Sequence, residues 1–190
     1  SSFAIPGGEP QGVAFDDTGR LFVSSTDSNI YVYSLPGTLV MTLKSAGDPY
    51  QMTFDSDDNL IVASCAPPRL FTYNPPFFNN QTPNVTTVTA DCVGGVSTIE
   101  GGSGEVLLVT TNTSDLYAYF PLPLTSGSVA VVYDGSAFTA EWGFNLAHDK
   151  VNNVYVPDFA NGEMDVFGAN DPDPSTFNVL GYTPGGVAVQ

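Results

Sequence analysis

The sequence predicts an all-β chain, a β-propeller with four complete four-stranded blades and an unfinished extra blade formed by the terminal strands. Three observations carry this. A strand–acidic turn–strand–polar loop–strand pattern, first seen in Gln11–Leu35, recurs three more times. Each copy holds its phase. An aromatic residue follows the acidic turn by 17, 18, 19 and 18 residues, at Tyr33, Tyr73, Tyr119 and Phe167. Four short strands per roughly 40–50 residues is also a blade period. A two-sheet sandwich has many short strands too, but it has no reason to repeat a turn in register.

Within each copy the first strand closes on Phe15-Asp16, Phe54-Asp55, Ile99-Glu100 and His148-Asp149. The second apolar runs are Leu21-Phe22-Val23, Leu60-Ile61-Val62, Val106 to Val109 and Val154-Tyr155-Val156. The fourth strands are looser: Thr38 to Leu43, Val85 to Thr89, Val129 to Tyr133 and Phe177 to Leu180. Both faces are apolar or aromatic in Ile30-Tyr31-Val32-Tyr33, as face-to-face stacking of blades requires. The predicted blades span about 9–46, 48–90, 91–137 and 141–183 in one domain of 190 residues. The connection NPPFFNNQTPN, Asn74 to Asn84, is expected to break regular pairing. Helical periodicity is nearly absent; only Thr139 to Leu146 is long enough for a turn of helix.

The termini resemble each other. Phe177 answers Phe3, and Gly186-Val187-Ala188 answers Gly12-Val13-Ala14. The expectation is a lone strand over Ser1–Ile5 and a second over Gly185–Gln190. Phe3, Ile5, Val187 and Val189 are then the candidate assembly residues. Open strand edges invite pairing. The chain is therefore a fragment of a longer propeller, a subunit completed by its neighbours through strand exchange, or a compact closed ring.

Four basic residues face 20 acidic ones, a net charge of −16. This excludes phosphate-directed nucleic-acid binding and docking on an anionic membrane. No apolar run approaches the ~18 residues of a membrane helix. The start at Ser1 suits a processed chain, and three sequons begin at Asn80, Asn84 and Asn112. Together these predict an extracellular glycoprotein. Two cysteines, Cys65 and Cys92, are by count a weak disulfide signal.

The segment FNLAHDKVNNVYVPDFANGEMDVFG, Phe144 to Gly168, resembles the NHL blade pattern: strand, D-x-x-G/N-N turn, V-Y-V strand, D-x-x-N loop and outer V-x-V-F strand. QGVAFDDTGRLFV, Gln11 to Val23, is similar. The chain thus resembles the NHL, SMP-30 and streptogramin-lyase-like propellers. The third repeat departs most, with Gly101-Gly102-Ser103-Gly104 in its turn and Thr98 in its first strand. The resemblance implies a scaffold and carries no activity with it. It also implies that the loops bearing Cys65 and Cys92 open on one face of neighbouring blades, so a disulfide is expected there.

The same resemblance puts Glu9, Asp48, Asp91 and Glu141 around a channel mouth, where hard oxygen ligands suit Ca²⁺ or Mg²⁺. SMP-30-like lactonases hold a divalent ion there. Glu9 loosely matches their glutamate, with Asn145 and Asp48 as partners, but the flanking motifs are missing. Solvated turn carboxylates are the favoured reading of all four, so no cofactor is required. Asp16, Asp55, Glu100 and Asp149 read as structural, since an aspartate can bond backbone N–H groups in a tight turn. Asp55 to Asn59 imitates an EF-hand loop, but Leu60 and Ala66 replace its glycine and glutamate. His148, the single histidine, sits beside a structural aspartate, so no catalytic residue is assigned. Trp142 and Phe144 read as core, and nucleophile-elbow, zincin and redox motifs are absent. The expected function is an extracellular, non-enzymatic binding or structural module that self-assembles into a ring or filament. The alternative is a divalent-metal lactonase or lyase.

Overall fold

Three aspartate turns explain why the repeat keeps its phase. In the computed structural model, Asp16, Asp55 and Asp149 each accept at Oδ1 the backbone N–H of the residue four positions on. Those residues are Arg20, Asn59 and Asn153, at 2.8, 2.8 and 2.9 Å. The same residues return a side-chain N–H to Oδ2: Arg20 Nε at 2.6 Å, Asn59 Nδ2 at 2.9 Å and Asn153 Nδ2 at 2.8 Å. The residue between closes the turn in the left-handed region, as Gly19, Asp58 and Asn152 with φ of 79, 62 and 64°. Glycine, aspartate and asparagine are the residues that tolerate this backbone.

Burial pushes the Asp16 carboxyl up. The Arg20 backbone N–H, the Thr18 hydroxyl and the Arg20 side chain outweigh that and hold it below the ordinary carboxylate value. The Asp149 carboxyl is likewise lowered against its burial by Asn153, Val151 and Tyr155. A depressed carboxyl stabilises the fold above its unfolded pKa of about 4, and that stability is lost as pH falls through the folded value. Stability is therefore expected to be flat from neutral pH to about 5 and to drop below about 4. Urea midpoints measured across that range check this, and Asp16→Asn should flatten the drop.

The structure describes residues 3–87, 92–101, 104–112, 116–125, 128–133, 145–158, 161–168 and 175–178. Among these every regular element is a strand, and the strands form four antiparallel sheets of four. The first is β1 (Pro10–Phe15), β2 (Leu21–Ser25), β3 (Asn29–Ser34) and β4 (Thr38–Lys44). The second is β5 (Pro49–Phe54), β6 (Leu60–Ser64), β7 (Arg69–Tyr73) and β8 (Asn84–Thr87). The third is β9 (Val93–Gly101), β10 (Gly104–Thr111), β11 (Leu116–Phe120) and β12 (Val129–Tyr133). The fourth is β13 (Ala147–His148), β14 (Val154–Asp158), β15 (Glu163–Phe167) and β16 (Ser175–Asn178). Each is a meander whose strands pair in chain order, which is the predicted blade. The phase of the aromatics has a cause: Tyr33, Tyr73, Tyr119 and Phe167 pair with Leu21, Leu60, Leu107 and Val154, all in the second strand of their sheet.

The chain forms two compact units, Ser1–Thr89 and Ala90–Gln190. In the first, Phe22, Ile30, Val32 and Leu43 of one sheet pack against Met52, Leu60, Val62, Phe71 and Tyr73 of the next. Phe22 meets Phe54 and Phe77 edge-on, with centroids at 5.1 and 5.3 Å. The inner strands approach so closely that a Cβ on Gly12 would lie 2.6 Å from the Tyr50 carbonyl oxygen. The Ser24 hydroxyl donates to that same oxygen at 2.6 Å. In the second unit, Leu108, Leu116 and Ala118 pack with Leu146, Val154, Val156 and Phe167.

Two expectations need correction. Glu100 does not close a turn: it lies inside β9, paired with Glu105, because the hairpin runs on to Gly101↔Gly104. Phe3–Ile5 is not a strand; Phe3 instead rests on the Tyr33 ring, with centroids at 4.6 Å. The 74–84 connection breaks regular pairing as expected, with no strand from Asn74 to Pro83, yet it is tied to the edge of β4. Asn80 N–H donates to the Thr42 carbonyl at 2.8 Å, and Lys44 N–H donates to the Gln81 carbonyl at 2.9 Å.

Candidate functional site

The first sheet has a second face, opposite the one that packs on β5–β8. It carries Val13 and Phe15 of β1, opposite Val23 and Leu21 of β2. Val23, Tyr31 and Tyr33 cluster on it, with Ile5 and Leu21 against them. The head of the chain crosses its outer part. Besides the Phe3–Tyr33 contact, the Gly7 carbonyl accepts the Ser25 hydroxyl at 2.8 Å. Glu9 and Thr26 exchange bonds: Glu9 N–H donates to the Thr26 hydroxyl at 2.9 Å, and Thr26 N–H donates to the Glu9 carbonyl at 3.0 Å. The exposed side chains of this face lie in its inner part. Val13 is 59% exposed and Phe15 56%.

The polar rim of this face is tightly bonded. The Tyr31 phenol donates to the Asp27 carboxylate at 2.5 Å. Burial raises Asp27, and the Tyr31, Asn29 and Ser25 hydrogen bonds more than reverse it. The Tyr31 phenol is raised by burial and by the Asp27 charge. This pair positions the rim; it offers no open ligand site.

Of the predicted metal residues, Glu9 is exposed in the head segment, and Asp48 is half-buried with its N–H bonded to the Ala66 carbonyl at 3.3 Å. Asp91 and Glu141 lie outside the described residues, as do Trp142, Phe144, Val187 and Val189. Among the described residues no three His, Cys, Asp or Glu side chains converge on a point. His148 ends β13, half-buried, with Nδ1 2.9 Å from the Ser97 hydroxyl of β9. Both cysteines, Cys65 and Cys92, are disulfide-bonded, as expected. Asn80 and Asn84 are exposed, whereas Asn112 is half-buried with Oδ1 enclosed. Among the described residues no helix is long and apolar enough to cross a membrane.

Two features escaped the sequence. One is the open Val13–Phe15 strip, because its neighbours in the pattern read as core in every repeat. The other is an acidic rim where two turns meet: Asp58 is raised by burial and by the charges of Asp17 and Asp16.

No family model and no curated protein matches the chain. Solved structures do. The chain is similar to selenomethionine-substituted virginiamycin B lyase from Staphylococcus aureus, at 13% identity, 92% of this chain, 57% of that one and a TM-score of 0.69. It is similar to a streptogramin B lyase at 11% identity, covering 94% and 57%, with a TM-score of 0.72. A catalytically inactive variant of the Staphylococcus aureus enzyme with quinupristin gives 13% identity, 92% and 57%, and 0.66. The chain thus spans 57% of the length of each. At such identity the likeness carries fold and no activity: four antiparallel sheets of four strands are blades of a β-propeller.

Proposed function

We propose that this chain is an extracellular, non-enzymatic propeller module that associates with copies of itself, a second copy covering the exposed Val13–Phe15 strip of its first blade. Rings or filaments follow according to whether the rotation closes. One observation carries the reading. The counterparts of Val13 and Phe15 in the second blade are Met52 and Phe54, at the same offset from Asp55. Met52 is 4% exposed, buried against the first blade, and Phe54 packs on the same cluster. Equivalent side chains of the first blade stand in water. Covering what remains exposed of Val13 and Phe15 would contribute on the order of 1 kcal/mol each.

The test is negative-stain microscopy with sedimentation velocity on the native protein and on Val13→Asp/Phe15→Ser. The native chain is expected to form rings or filaments. The double variant should give discrete particles of monomer mass, with an unchanged thermal midpoint because both side chains are exposed in the single chain. Monomeric native protein, or a variant that assembles equally well, would sink the proposal. The rival reading, a lactonase or lyase using Ca²⁺ or Mg²⁺ near Glu9 and Asp48, rests on likeness of fold alone.

A further inference from the structure

Two adjacent phenylalanines in the 74–84 connection have opposite fates. Phe77 packs edge-on against Phe22 and Phe54, with centroids at 5.3 and 6.2 Å, and the Arg20 guanidinium lies 5.6 Å from its ring centre. Phe78 is 59% exposed. The loop is anchored through one ring and presents the other to water. Phe78 stands two residues before Asn80, the acceptor of the sequon Asn80-Gln81-Thr82.

The backbone between them is fixed. Gln81 N–H donates to the Phe78 carbonyl at 3.1 Å, and Phe78 N–H donates to Gln81 Oε1 at 3.3 Å. Asn80 sits at φ 60°, in the left-handed region that asparagine tolerates. The turn is also tied to β4 through Thr42 N–H, which donates to Asn79 Oδ1 at 3.0 Å, and through the Asn80 and Gln81 bonds above. Gln81 itself is buried, with Nε2 donating to the Asn74 carbonyl at 2.8 Å. The backbone that carries both Phe78 and Asn80 is therefore fixed before any sugar arrives.

We infer that Phe78–Thr82 is an N-glycosylation turn in which Phe78 is the platform for the first sugar. Asn80 Nδ2 loses one proton and bonds to the anomeric carbon of a lipid-pyrophosphate-linked oligosaccharide. The bond from that carbon to the pyrophosphate oxygen breaks, and the lipid pyrophosphate leaves with its electron pair. The apolar C–H face of the incoming N-acetylhexosamine packs on the exposed ring as the bond forms, so the ring favours the transfer itself. The other sequons lack this arrangement. Asn84 Nδ2 already donates to Asn74 Oδ1 at 2.7 Å, and Asn112 is half-buried. The glycan stands on the outer edge of β4, where Leu39 and Val40 are 41% and 47% exposed. The connection already bonds β4 at Thr42 and Lys44, and bulk on that side opposes strand addition along the rest of the edge. The inference rests on the extracellular reading.

The test is secretion of the chain from a eukaryotic host with N-glycosylation machinery, followed by glycopeptide mass spectrometry site by site, with Phe78→Ala and Phe78→Tyr in parallel. Asn80 should be occupied in most molecules and Asn84 and Asn112 in few. Phe78→Ala should lower Asn80 occupancy several-fold, and Phe78→Tyr should restore it. An empty Asn80, or occupancy indifferent to Phe78→Ala, would overturn the inference. Occupancy of Asn80 in the secreted chain beside sugar-free native material would support the turn and overturn the extracellular reading, so the two fail separately.

Discussion

Asp55→Ala is expected to destabilise the first unit by about 3 kcal/mol, seen as a lower urea midpoint at unchanged slope. Asp55 is buried and holds three donors: Asp57 N–H at 3.1 Å, Asn59 N–H at 2.8 Å and Asn59 Nδ2 at 2.9 Å. Hydrogen bonds to an ionised acceptor are the stronger kind, and donors left buried without an acceptor cost more than the bond contributed. The damage does not stop at the turn. Asn59 Oδ1 accepts Asn74 Nδ2 at 2.6 Å, and Asn74 Oδ1 accepts Asn84 Nδ2 at 2.7 Å. A chain of amides thus runs from the aspartate to the outer strand β8. Asp55→Asn keeps one acceptor oxygen but sets an amide against the Asn59 amide, so an intermediate loss is expected. Glu100→Ala is the control. Glu100 is exposed inside β9 and closes nothing, so its loss should lie within about 0.5 kcal/mol.

That contrast also shows what the sequence could and could not reveal. The turn is legible at Asp16, Asp55 and Asp149 because its geometry needs three residue types at fixed spacing. They are an aspartate, a residue tolerant of positive φ three positions on, and a backbone N–H one further, reinforced by Arg20, Asn59 or Asn153. The third repeat offers an acidic residue at the right phase, but Glu100 is followed by Gly101 and Gly104, and a two-sided hairpin forms instead. Phase alone could not separate the two. The pairing of the aromatics was legible for the same local reason, since hairpin length fixes register. The open strip was not. Val13 and Phe15 have the chemistry of Met52 and Phe54, and nothing in the residue types separates the exposed pair from the covered one. Phe77 and Phe78 pose the same difficulty: identical side chains whose fates depend on which way the loop's anchoring bonds turn it.

Tyr73 and Tyr33 occupy equivalent places in adjacent blades, and their substitutions should diverge. Tyr73→Ala is expected to cost about 3–5 kcal/mol, the range for emptying a fully buried aromatic site. Its ring is wholly buried in the cluster between the two sheets of the first unit, and its phenol donates to the Lys44 carbonyl at 2.8 Å. Burial pushes that phenol well up, so the donor keeps its proton across the working range. Tyr73→Phe removes the bond while leaving the ring, and should cost about 1 kcal/mol. Tyr33 is 2% exposed, but its hydroxyl has no hydrogen-bond partner among the described residues. Tyr33→Phe discards a buried polar atom that returns nothing, so neutral or slightly raised stability is expected. Thermal and urea unfolding of the three variants decide the matter. Equal losses for Tyr33→Phe and Tyr73→Phe would mean that the Tyr33 hydroxyl finds an acceptor in the working protein. Tyr33 is 2% exposed in the single chain and lies against the Phe3 ring, so a buried water would be that acceptor.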